Sequence, residues 1–151
     1  MTTAGTDLAV LGTLGWMLDE EIVCLPHVLR ALVLSADGLV VTASKDMDQD
    51  MADRAAAAVT GMQAVSRQAA EFADSKDAKG KSTVGPWEMT LNQYKNGFLI
   101  VMAAGAGTYL TVSATREADI ESVSFSMEKV IDRIGEKLGL APRQLAAPSA
   151  S

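Results

Sequence analysis

A chain of 151 residues, 48% of them hydrophobic, is sized for one domain with its own core, and it needs no covalent staple. Thirteen Lys and Arg against 19 Asp and Glu leave a net charge of -6, which argues against a nucleic-acid partner, since phosphate binding needs clustered Lys and Arg. A single cysteine, Cys24, excludes an internal disulfide framework and a cysteine-rich zinc site, and points to the cytoplasm.

The first seven residues, MTTAGTD, have neither a basic n-region nor a cleavage site after an apolar core and so do not read as a secretory signal; they are assigned as a disordered N-terminus. From Leu8 to Leu25 apolar residues recur at helical spacing (Leu8, Leu11, Leu14, Leu18, Ile22, Leu25), with Asp19, Glu20 and Glu21 on the wet side. Pro26 ends this helix, because proline disfavours helical backbone angles in the residue before it. Two apolar runs, Val28 to Ser35 and Leu39 to Ser44, then meet at Asp37-Gly38, a strong hairpin signal. Asp50 is placed to cap a second helix from Met51 to about Ala73, with Asp53 in its first turn.

The lysine-bearing stretch SKDAKGKS, Ser75 to Ser82, reads as a solvated loop whose role the residues leave open. Val84 to Tyr94 alternates, with Trp87, Met89 and Leu91 on one face and Glu88, Thr90 and Asn92 on the other. Pro86 cannot donate to a ladder, which places this strand at a sheet edge. Asn96-Gly97 turns the chain into FLIVMAA, whose apolar residues occupy both faces, and Gly105 to Gly107 turns it again into TYLTVSAT. A third helix runs from about Glu117 to Leu138 with Ile120, Val123, Met127, Ile131, Ile134 and Leu138 on one stripe and Gly139 as its stop. The order α-β-β-α-β-β-β-α, with every strand connection short, predicts an α+β three-layer sandwich: a five-stranded antiparallel sheet with three helices. The domain spans 8–140, and residues 141–151 read as a disordered tail.

Little in this inventory can do chemistry. Cys24 and His27 make at most half a metal site and read as a buried thiol beside a surface imidazole; no catalytic, cofactor-binding or metal-ligating set is assigned. Gly80-Lys81-Ser82 matches the end of a phosphate-binding loop, but Ser75 stands where its first glycine belongs, and the flanking elements are in the wrong order. The apolar runs are too short to span a bilayer, so direct membrane insertion is not expected.

The second helix is the informative element. Met51, Ala55, Ala58, Met62, Val65, Ala69 and Phe72 follow a heptad seam, and Ala52, Ala56, Val59, Ser66 and Ala70 form a second row beside it. Together they cover more of the circumference than one sheet requires, which argues for a second partner; the plainer reading is that the alanines only let the helix sit close to its sheet. Arg54 lies at the edge of the seam. With the edge strand, this predicts a homodimer with a continuous sheet, its interface formed by Met51, Ala55, Ala58, Met62, Val65, Trp87 and Met89.

The segments WMLDEEIV, LPHVLRALVLSADGLVVTAS, DMADRAAAAVTGM, FLIVMAAGAGTYLTV and ADIESVSFSMEKVIDRIG resemble the roadblock/LC7 (dynein light chain-related) family from about Leu8 to Leu138, and most of all its bacterial branch encoded beside a small Ras-like GTPase. The likeness rests on element order and on Pro26, Val28, Ser35, Asp37, Gly38 and Gly105; His27 departs from it, standing where this branch usually has glycine. The resemblance implies a profilin-like sandwich with one helix on one sheet face and two on the other, dimerised through the middle helix and third strand. It implies a non-catalytic, cofactor-free regulator of a small Ras-like GTPase, either an activator that donates no arginine finger or an effector or scaffold. Other proteins of the same operon are further candidate partners. Asp53, Arg54, Met62 and Arg67 are the residues assigned to GTPase contact. Two alternatives stand beside this: a pure scaffold without effect on GTP turnover, and a small-ligand-sensing domain.

Overall fold

The computed structural model describes residues 12–105 and 107–137. The expected N-terminus 1–7, the tail 141–151, and Leu8, Leu11, Leu138 and Gly139 lie outside the described residues.

The first helix, α1, covers residues 12–23; its second half, Leu18–Val23, is π-helical. Leu14, Met17, Leu18 and Ile22 are its buried residues. Strands β1 (Val28–Ser35) and β2 (Val40–Ala43) form the expected hairpin, with Gly38 at φ 88° and the Ser35 hydroxyl donating to the Asp37 carboxylate. Helix α2 runs Gln49–Ala73. It is capped by Asp48 and not by Asp50: the Asp48 carboxylate accepts the Met51 N–H at 2.8 Å, and Asp50 instead sits inside the first turn paired with Arg54. Strands β3 (Met89–Tyr94), β4 (Gly97–Ala103) and β5 (Thr108–Thr115) form a meander, followed by α3 (Ile120–Lys137), which starts three residues later than the sequence pattern indicates. The β3–β4 turn has Lys95-Asn96 at its tip, with Gly97 already paired to Tyr94.

All pairings are antiparallel, in the order β2-β1-β5-β4-β3. The last strand is therefore the central one, and β3 is an edge. Period-two alternation splits the sheet between two cores. On one face Ala31, Val33, Ile100, Met102, Leu110 and Val112 pack with α1 and with Val123, Met127, Val130, Ile131 and Ile134 of α3. On the other, Leu32, Leu34, Val101 and Tyr109 pack with the buried Ala52, Ala56 and Val59 of α2, with Ala55 half-buried beside them. The predicted three-layer α+β sandwich is the observed fold.

Candidate functional site

Helix α2 carries its two apolar rows to different fates. Ala52, Ala56 and Val59 of the second row are buried against the sheet, and Ser66 and Ala70 are half-buried beside it. The heptad seam is turned away: Met51, Ala55 and Met62 are half-buried, while Ala58, Val65, Ala69 and Phe72 are exposed, Phe72 to 97%. A helix that rests on alanines stands close to its sheet, so its own layer leaves the seam uncovered.

Length adds to this. At ~1.5 Å per residue, the 25 residues of α2 extend ~37 Å, whereas four spacings of ~4.8 Å make a five-stranded sheet only ~19 Å wide. The N-terminal half lies over β1 and the middle of the sheet, since Met51 and Ala55 line a cleft of about 130 Å³ with Arg30 and Leu32 of β1, Ser113 of β5 and Leu99 of β4. The C-terminal half reaches the β3 edge, where the Ser66 and Thr90 hydroxyls are 3.3 Å apart.

The edge strand departs from the predicted alternation. Gly85, at φ 75°, and Pro86 interrupt the extended chain, so Trp87 lies before β3 and packs on the α2 side; its ring meets Tyr109 edge-on at 5.6 Å, and its indole N–H donates to Thr90 Oγ1 at 2.8 Å. Met89 and Leu91 pair with Met102 and Ile100, which places them on the opposite face, where both are exposed. Trp87 and Met89 thus do not share a face. Pro86 lies outside the strand it marked as an edge, and β3 is an edge all the same.

The four residues assigned to GTPase contact divide likewise. Asp53 accepts from Gln49 Nε2 at 2.9 Å, Arg54 pairs with Asp50, and Met62 is half-buried on the seam. Arg67 is more than a rim residue: its Nη2 donates to the Tyr109 hydroxyl at 2.9 Å, so it also fastens α2 to the central strand. Sequence reasoning misses this bond, which spans 42 residues. Cys24 is exposed rather than buried, its thiol donating to the Glu20 carbonyl at 2.7 Å. His27 is exposed, with φ 70°.

The Roadblock/LC7 domain model matches residues 14–114, two thirds of the sequence. The chain belongs to the Roadblock/LC7 family. Members of this family are regulatory and binding proteins. Among solved structures, a Roadblock/LC7 domain from Streptomyces avermitilis is 28% identical and superposes with a TM-score of 0.70, covering 82% of this chain and 96% of that one. The gliding protein MglB of Thermus thermophilus (16% identical, TM-score 0.61, 91% of each chain) and MglB of Myxococcus xanthus (11%, 0.60, 92% of each) share the fold. No protein of curated function matches the sequence. Among the described residues, no helix is long and apolar enough to cross a membrane.

Proposed function

We propose that this Roadblock/LC7 chain is a non-catalytic homodimer that binds and regulates a small Ras-like GTPase. The observation that carries the dimer is the exposed heptad seam of α2 beside an open sheet edge. An edge strand that pairs with its own copy on the same sheet face does so about a two-fold axis normal to the sheet. That axis makes β3 antiparallel to β3 and α2 antiparallel to α2. Helix ends that overhang one sheet then rest on the next, and the seam of each helix covers the other's.

The GTPase is supported by the likeness of the sequence to the bacterial branch encoded beside such an enzyme. Paired α2 helices would present Asp53, Arg54, Met62 and Arg67 near one surface. Any accelerated hydrolysis would be the chemistry of the partner's Mg²⁺ and nucleotide, which a regulator reorganises. Light scattering of the protein, alone and mixed with a small Ras-like GTPase, tests both parts. The expected result is a dimer that gains mass with the GTP-analogue form and not with the GDP form. A monomer, or a dimer indifferent to both forms, refutes the reading. If mass is gained, unchanged GTP turnover in the complex assigns a scaffold.

A further inference from the structure

The lysine loop between α2 and β3 is a built hairpin. Asp74 accepts from the Ser82 hydroxyl at 2.8 Å, the Thr83 N–H at 2.8 Å and the Val84 N–H at 3.2 Å, and Asp77 accepts the N–H groups of Lys79 and Lys81 at 2.8 and 2.9 Å. Lys76 and Ser82 close it as an antiparallel bridge. Both carboxylates are thereby turned onto the hairpin's own backbone. Lys76 also pairs with Asp74, but among the described residues the ammonium groups of Lys79 and Lys81 have no acidic partner. An acidic protein thus presents an ordered cationic tip at the C-terminal end of α2.

The N-terminal end of the same helix has the opposite sign. Asp46, Asp48 and Asp50 are exposed there; Lys45 is beside them, and Arg54 takes up part of the Asp50 charge. Asp46 has no cationic partner among the described residues.

We infer that the Lys79–Lys81 tip of one copy seats against the Asp46–Asp50 start of α2 in a second copy, so that charge sets the register of the antiparallel helices. The inference rests on the homodimer proposed above. A seam that runs from Met51 to Phe72 and pairs with itself about its midpoint puts Phe72 of one copy opposite Met51 of the other. The hairpin that follows Ala73 then passes the three aspartates, and the two-fold repeats the contact at the other end of the seam. A parallel arrangement would instead bring lysine tip to lysine tip and aspartates to aspartates, so the charges also oppose the wrong pairing.

The test is sedimentation equilibrium of the full chain at about 0.05 and about 0.5 M salt, where screening lengths fall from roughly 14 to roughly 4 Å. We expect Lys79→Glu/Lys81→Glu to weaken the dimer about tenfold at low salt and far less at high salt. Adding Asp46→Lys to the same chain restores several-fold of that loss. Lys129→Glu, on the α3 side of the sheet, changes net charge without changing the dimer. A wild-type monomer overturns the homodimer reading and this inference with it. A wild-type dimer unmoved by the double reversal, or weakened equally by Lys129→Glu, or not rescued by Asp46→Lys, overturns this inference alone. If the double variant stays dimeric but loses the GTPase, the tip belongs to that partner and the inference fails.

Discussion

Arg67 Nη2 lies 2.9 Å from the Tyr109 hydroxyl, which ties the outer helix to the central strand through a bond that no local sequence pattern announces. The Tyr109 ring is buried and braced edge-on by Trp87, so deleting its hydroxyl leaves the packing intact. Tyr109→Phe is expected to lower stability by about 1 kcal/mol in urea unfolding, the usual net worth of such a bond. It should leave GTPase binding intact, whereas Arg67→Ala should reduce both. Equal binding losses in the two variants would mean that Arg67 acts only through the fold.

Ala56 and Ala58 are two residues apart on α2, one fully buried and one exposed. Glutamate at Ala56 forces an unpaired carboxylate between helix and sheet, and is expected to cost at least ~3 kcal/mol of stability. Glutamate at Ala58 should leave the folded protomer intact by circular dichroism and break the dimer, because it puts charge into a seam that only a second copy dries. An Ala58→Glu chain that still sediments as a dimer removes α2 from the interface.

His27 adopts φ 70°, the left-handed region in which a Cβ crowds the following carbonyl. The turn is held by its neighbours, since the His27 carbonyl accepts the Thr115 N–H at 2.9 Å and thereby joins the turn between α1 and β1 to the end of the central strand. Glycine tolerates this conformation without strain, at the cost of more freedom in the unfolded chain. His27→Gly is expected to raise stability by about 0.5–1 kcal/mol; a loss of stability would show that the imidazole makes up for the strain.

Asp74 has its carboxyl held well below the usual carboxylate range, first by the Ser82 hydroxyl and then by the Thr83 N–H. A carboxyl that titrates lower when folded stabilises the hairpin fully above the ordinary carboxylate pKa, and loses that contribution as pH falls through the folded value. Amide-exchange protection of Thr83 and Val84 should therefore hold from neutral to mildly acidic pH and fail only in strong acid. Ser82→Ala should move the Asp74 titration back toward the ordinary range.

The sequence carried the element order because each boundary had a local cause: Pro26 after α1, Asp37-Gly38 in the first turn, periodicity in α2 and α3. What it left open or misplaced, the Asp50 cap and the shared face of Trp87 and Met89 among it, was decided by contacts that no local pattern marks. Asp48 and Asp50 are both suitable caps two residues apart, and the accepted Met51 N–H decides between them. The face of Trp87 could not be counted back from Met89, because Gly85 and Pro86 break the period between them. The central place of β5 comes from its pairing with β1, which no hairpin signal marks. The two small-residue rows of α2 look alike as sequence, and only the position of the sheet shows that Ala52, Ala56 and Val59 are core while Ala58 and Val65 are surface.

Gln63 is the polar exception in that buried row. It is 3% exposed, and neither its side-chain oxygen nor its nitrogen has a hydrogen-bond partner among the described residues. An amide taken out of water without partners costs more than an apolar group of similar volume at the same place. Gln63→Met keeps the length and helix propensity of the side chain and removes both polar atoms, and is expected to raise protomer stability by about 1 kcal/mol in urea unfolding. The comparison is cleanest in the Ala58→Glu background, where a dimer could not supply the missing partners. Destabilisation in that monomer would mean that ordered water satisfies the amide between α2 and the sheet. Destabilisation in the dimer alone would mean that the second copy reaches Gln63, and that α2 settles differently on its sheet once the seam is covered.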